Sequence, residues 1–354
     1  MIGMKLIVHS LRLYCKRKKE ELFMKKRVIA LCMAAVMSIG LVGCGKSSNV
    51  DESKGKVVVY MPSPSNLNQE IMEGFTAKTG IEVELFEGTT GEILARLETE
   101  KSNPIADVVV LASWADGLGL KEDDQLLEYV PANADKLYDG WSDEDNMLYG
   151  TSASALGVIY NTTILPELSA DWSELASGEY NDLLAFPDAE KSGSAKDFLS
   201  GYINAFGEES WSVWEALADN GMTVPGANKA ALEAVTTGEK AILVAGVDYN
   251  AYTSMAAGEP LDIYYPEGGT LINPRPAMIL KTSKNVDNAK LFMDYLLSDE
   301  AQEMVADAYL LPGRSDIQCD NRTNVSDIVT FDVDWNWIVG NSNSIASKMN
   351  ELCR

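Results

Sequence analysis

The chain is 354 residues long and acidic, with 29 Lys/Arg against 53 Asp/Glu, a formal net charge of −24, and 46% hydrophobic residues. That balance argues against nucleic acid as a partner, since phosphate contacts need clustered Lys/Arg. The one histidine is His9, near the N-terminus. The rest of the chain therefore lacks Ser-His-Asp and Cys-His catalysis and the usual zinc sites. Neither an enzyme nor a resident cofactor is expected.

Residues 1–43 read as a signal region. Lys25-Lys26-Arg27 precede an apolar run, Val28 to Val42, which ends at Leu41-Val42-Gly43-Cys44. The run is shorter than the roughly 20 apolar residues of a membrane span, and its flanks are those of a secretory signal. Met1 to Phe23 fit this pattern poorly, and Met24 makes a conventional start. The placement of Cys44 resembles the lipobox of bacterial lipoproteins. The resemblance implies a diacylglycerol on the Cys44 thiol, with two acyl chains giving stable anchoring outside the cytoplasmic membrane. Residues 44–55 are small and polar and read as a flexible tether.

The first 43 residues hold nine Lys/Arg and two Asp/Glu, so the remainder is more acidic than the whole. An anionic ligand would then need local donors and not a global field. Cys319 and Cys353 are the cysteines beyond Cys44. In an oxidising compartment a bridge between them is one expectation, two free thiols the other.

From Lys56 onward, strand and helix patterns alternate. Lys56 to Tyr60 is a buried strand. Leu67, Ile71 and Phe75 recur at helical spacing, with Gly80 at the stop position. Ile81 to Leu85 alternates as a strand, and Glu87 to Gly91 is a tight loop opening a second helix. Ala106 to Ala112 is a continuous apolar strand, and Lys121 to Asn146 a loop-rich acidic stretch. Ala155 to Tyr160 is the next strand. Helices carrying tryptophan follow at Asp171 to Leu175 and Glu208 to Leu217. An Ala-rich helix covers Asn228 to Thr237, and strands cover Ala241 to Ala245, Leu261 to Tyr265 and Ala277 to Leu280. Two further helices span Val286 to Leu297 and Asp299 to Ala308, the second capped by Ser298. This order argues for α/β architecture with mixed, largely parallel sheets flanked by helices.

Several segments are similar to type II periplasmic solute-binding proteins of ABC importers, in the branch of ferric-iron, thiamine, phosphonate and hexose-phosphate binders. They are Val57-Val58-Val59-Tyr60, Phe75 to Val83, Gly88 to Leu97, Pro104 to Val108, Ala155 to Asn161, Ser192 to Ala195, Ala289 to Leu296 with Ser298 to Gln302, and Asp334 to Trp337. The resemblance implies a two-lobed α/β fold with the ligand cleft at the hinge. Lobe 1 would hold residues 56–128 and 268–312, lobe 2 residues 129–267, and 313–354 a C-terminal helical segment. It also implies a small-molecule or ion ligand, an ABC permease with its ATPase as partner, and a monomer. Ligand-driven closure is a population shift, because the ligand touches both lobes only when they are closed.

In open α/β sheets, ligands sit beyond the carboxyl ends of strands. That rule selects Ser63 and Ser65 after the first strand, Thr89 and Thr90 after the second, and Trp114 after the third. It also selects Asp248 and Tyr249 after the strand Ala241 to Ala245. Ser192-Gly193-Ser194 offers two hydroxyls, a close backbone approach and free amides, a suitable phosphate or carboxylate cradle. Arg275, between two prolines, suits an anion or a carboxylate partner. The hydroxyl-rich loops and Arg275 lean toward an organophosphate or phosphonate. Ferric iron, with Tyr249 and Asp248 as ligands, and thiamine stay open, as do a ligand-sensing lipoprotein and an extracytoplasmic hydrolase.

Overall fold

The structure, a computed structural model, describes residues 54–62 and 64–354. The signal region, Cys44 and Ser63 lie outside the described residues.

The first lobe is built on β1 (Lys56–Met61), which pairs in parallel with β2 (Glu82–Glu87) on one side and β3 (Val108–Val110) on the other. Between β1 and β2 runs α1 (Ser65–Thr79), which buries Leu67, Ile71 and Phe75 and stops at Gly80, whose φ of 76° is left-handed. A glycine there lets the chain reverse without a Cβ clash. After β2 comes α2 (Thr90–Glu100), opened by a capping box between Thr89 and Glu92. After β3 comes α3 (Trp114–Glu122), capped by Ser113. β4 (Leu126–Leu127) is a short strand beside the return strand β9 (Ile272–Leu280).

The strand β5 (Tyr149–Asn161) is 13 residues long and buried throughout. Its first half pairs antiparallel with β9 (Ile272–Leu280) and β10 (Leu311–Pro312). Its second half pairs antiparallel with β7 (Ile242–Val247) and β8 (Leu261–Tyr264). β9 continues antiparallel to β3 and so closes the first sheet, while β6 (Leu184–Ala185) extends the second by a parallel pairing with β7. The path β2-β1-β3-β9-β5-β7-β6 is thus one continuous sheet with two halves that meet on β5, each covered by helices. A strand buried on both faces reads as an unbroken apolar run, which is how β3 and β7 appear in the sequence; β5 does so only over Ala155 to Tyr160, because its first half buries Thr151, Ser152 and Ser154, and it is therefore longer than the strand expected there.

The second half carries α4 (Gly193–Phe206), α5 (Trp211–Asp219), α6 (Asn228–Thr236) and α7 (Asp248–Ala256). The chain then returns through β9 to α8 (Val286–Leu296) and α9 (Asp299–Asp307), where Ser298 accepts from the Ala301 amide as the cap. The last helix, α10 (Trp335–Leu352), packs on α3 as well as on α4 and α5.

Three expectations are corrected, and one of the two alternatives left open for Cys319 and Cys353 is observed. The acidic stretch expected as loop is entered by α3, which runs to Glu122. The third strand is shorter than Ala106 to Ala112, because Leu111 already donates outside β3, to the Pro276 carbonyl. The region Asp171 to Leu175 holds a short 3-10 turn (Glu174–Ala176) where an α-helix was expected. Cys319 and Cys353 are both free thiols: Cys319 Sγ donates to the Leu310 carbonyl, and its backbone amide is held by the Asn324 side chain.

Candidate functional site

A cavity of about 350 Å³ lies between the two sheet halves. The first half contributes Pro62, Gly88, Thr89, Thr90, Ala112 and Arg275; the second contributes Lys191, Ser192, Gly193, Ala227, Asn228, Lys229, Leu232, Tyr249, Asn250, Thr253 and Ser254. None of these described lining residues is Asp or Glu, and three are cationic.

The first turns of four helices line the cavity: α2 at Thr90, α4 at Gly193, α6 at Asn228 and Lys229, and α7 at Tyr249 and Asn250. First-turn amides have no acceptor within their own helix, and aligned peptide dipoles place positive charge there. Two of the four ends are partly neutralised from within. Glu92 accepts from the Thr89 amide and Asp248 from the Tyr249 amide. Neither α4 nor α6 has an acidic residue in its first turn, so those two ends keep their positive field.

These same two ends are tied together by side chains. Ser192 Oγ donates to Asn228 Oδ1 at 2.9 Å, Asn228 Nδ2 donates to Ser194 Oγ at 3.1 Å, and the two serine hydroxyls lie 3.1 Å apart. Ser192 also caps α4 by accepting from Ala195. The hydroxyls expected to cradle a ligand are therefore committed within the protein. Ser194 is buried and absent from the lining. Ser192 and Gly193 do line the cavity, and Gly193 offers its backbone.

Thr89 caps α2, and Thr90 Oγ1 accepts from the Ala112 amide; both line the cavity. Arg275, buried in β9, has its guanidinium 5.7 Å from the centroid of the Tyr249 ring. Lys191, at the rim, pairs with Asp188 at 2.7 Å. That hydrogen bond raises the Lys191 pKa above its ordinary value, so Lys191 stays charged.

Three other expected ligand groups are placed elsewhere. Ser65 is exposed in the first turn of α1 and donates to Glu87. Trp114 is packed in the core beneath β1, β3 and β9. Asp248 is wholly buried and pairs with Arg322, while its carboxylate also accepts from the Ala155 amide and from Tyr265 Oη. A carboxylate so engaged has nothing left for a sugar, an amine or a metal ion.

Behind the cavity the two halves touch directly. Asp197, on α4, accepts from Ser113 Oγ and the Trp114 amide, each at 2.8 Å, at the start of α3. Its neighbour Lys196 reaches Asp116 Oδ1 at 2.5 Å, and Asp116 Oδ2 is buried without a hydrogen-bond partner. Burial, and then the Asp116 charge, push the Asp197 carboxyl up to about 7. A Cβ at Gly193 would come within 2.8 Å of Ser113 Cβ and 2.9 Å of Thr90 Oγ1. Gly193 is thus the contact point between the lobes as well as a lining residue.

The sequence reading missed Lys191, Asn228, Lys229, Asn250, Thr253 and Ser254. The α6 contribution escaped because the segment before it is barely a strand: Thr223 makes a single parallel bridge to Ala185. The strand-end rule therefore applies to α6 too, but through a bridge too short to show as a pattern.

Comparison with known proteins agrees with this geometry. Residues 103–338 match the family model described as bacterial extracellular solute-binding protein. "Iron uptake protein A1" of Synechocystis sp. is 27% identical over 286 residues, covering 75% of this chain and 79% of the relative. The "Putative 2-aminoethylphosphonate-binding periplasmic protein" of Salmonella typhi is 27% identical over 255 residues, covering 69% and 73%. Among solved structures, the periplasmic binding protein AfuA of Actinobacillus pleuropneumoniae, with fructose-6-phosphate bound, superposes with a TM-score of 0.77 at 21% identity, covering 84% of this chain and 98% of that one. Iron-bound HitA of Pseudomonas aeruginosa gives 0.75 at 20% identity, covering 83% and 99%. These likenesses carry the two-lobed fold, and the relatives are periplasmic or extracytoplasmic binding proteins. The chain belongs to the bacterial extracellular solute-binding proteins, and it is a solute-binding protein of the kind that serves ABC importers.

Proposed function

We propose that this protein captures a small organophosphate or phosphonate between its lobes and delivers it to a membrane permease, tethered to the membrane by a lipid on Cys44. The observation that carries the ligand class is the charge of the cavity. Arg275, Lys191, Lys229 and the positive ends of α4 and α6 face it, and no carboxylate is among its described lining residues. An anion at a helix N-terminus is stabilised by both the free amides and the dipole. A bare ferric ion has the opposite requirement, hard anionic oxygens, and Tyr249 is the one tyrosine among the described lining residues. The lobe boundaries and the monomeric state inferred from the resemblance belong to the same reading.

The test is a thermal-shift screen of the mature domain with phosphate esters, phosphonates, ferric citrate and thiamine. A ligand at 100 times its Kd adds about 2.7 kcal/mol to the folded state, which moves Tm by several degrees. Stabilisation by phosphate esters or phosphonates is the expected result. A shift with ferric citrate alone would reverse the assignment.

A further inference from the structure

We infer that the solute is an anion without an ammonium group, so that this cleft rejects aminophosphonates while accepting their uncharged-tail counterparts; the inference rests on the anion-binding reading above and narrows it. A zwitterionic aminoalkylphosphonate brings a second, positive centre that needs a carboxylate once water is excluded, since an unpaired buried charge is costly. None of the acidic residues beside the cavity is among its described lining residues.

Each of them is engaged or turned away. Glu87 accepts from Ser65 and from Asn68 Nδ2 at 2.7 Å. Glu92 is held in the α2 capping box. Asp188 pairs with Lys191 and accepts from Asn350 at 2.9 Å, and Glu190 accepts from Ser347 and Asn350, both 2.9 Å away. Asp248 is spent on Arg322. Glu233 is exposed on α6, one residue past the lining Leu232 and so roughly 100° round the helix from it. Meanwhile Arg275 and Lys229 would repel an ammonium. What the cavity offers the rest of the ligand is apolar or neutral: Pro62, Ala112, Leu232, Asn250 and Thr253.

Calorimetric titration of the mature domain with propylphosphonate and 2-aminoethylphosphonate tests this, because the two differ by a methyl in place of an ammonium. Propylphosphonate is expected to bind at least tenfold more tightly. Equal binding, or preference for the amine, overturns the inference and leaves the anion-binding reading intact. If neither phosphonate nor glycerol 3-phosphate binds while ferric citrate does, the anion-binding reading itself fails and this inference with it. Asn250→Asp should supply the missing counter-charge and move the affinity ratio at least tenfold toward the aminophosphonate. An unchanged ratio would refute the idea that a missing carboxylate sets the preference.

Discussion

The Asp248 carboxylate lies 2.5 Å from Arg322 Nη2, and both side chains are fully buried. Arg322 also donates to the Tyr309 carbonyl at 2.8 Å and sits 5.0 Å from the Tyr252 ring. It therefore ties the start of α7, which carries the lining residue Tyr249, to the chain that follows α9. Removing one partner of a buried pair typically costs about 3–5 kcal/mol, because the other charge is stranded. Arg322→Met is expected to lose that much in urea denaturation. Adding Asp248→Asn should recover part of it. A single-variant loss below about 1 kcal/mol would show that the pair does not hold α7.

Asp197 makes stability depend on pH in an unusual direction. Its folded-state pKa, about 7, lies above the ordinary carboxyl value, so folding favours the protonated form. The contribution is complete below the unfolded value, near pH 4, and is lost as pH rises toward 7. Three units correspond to at most about 4 kcal/mol. Asp197→Asn mimics the neutral acid and should flatten this part of the profile. The check is Tm of both proteins from pH 4 to pH 8; parallel curves would dismiss the assignment.

Gly193 has no room for a side chain. Gly193→Ala places a methyl against Ser113 and Thr90, across the contact between the lobes. Ligand affinity should fall at least tenfold, with a larger radius of gyration in the presence of ligand by small-angle scattering. Unchanged affinity would mean that the contact yields at little cost.

Arg275 is the one buried cation among the described lining residues of the cavity. Hydrogen bonds to charged groups are worth about 1.5–3 kcal/mol. Arg275→Met is accordingly expected to weaken phosphate-ester binding by roughly 10- to 100-fold. Lys191→Met, at the exposed rim, should weaken it less than tenfold. Calorimetry on the two variants gives the order directly, and the reverse order would place the anion at the rim.

Burial raises the thiol pKa of both Cys319 and Cys353 to about 11. The thiols are expected to react slowly with iodoacetamide in the native state, and reductant should leave Tm unchanged. A Tm drop with dithiothreitol would reveal a bridge.

Sequence patterns showed most of the scaffold. The α1 and α8 stripes, the β1 and β7 runs and the second half of β5 stood out because burial on one face or two imposes a period. α3 did not, because Trp114–Glu122 contains Gly117 and Gly119 and lacks an apolar stripe. Gly117 is there for closeness, since a Cβ would lie 2.7 Å from Leu148 and 2.9 Å from Pro276. At the cleft, the strand-end rule located Thr89, Thr90 and Tyr249 in the lining, while Ser192, Gly193 and Arg275 were reached through their own chemistry. It misjudged Asp248 because its partner lies 74 residues away. A carboxylate after a strand looks the same in sequence whether it faces a ligand or an arginine.

The 13 residues of β5 run without a break from one half of the sheet into the other, with register shifts at Gly150/Ser152 and Gly157/Ile159. Mechanically this is a leaf spring and not a loose joint. Bending in the proposed closure would be shared between two softened points along a stiff strip, which would hold the two jaws to one plane of travel. Capture would then have few alternative paths and little orientational freedom to lose when the solute arrives.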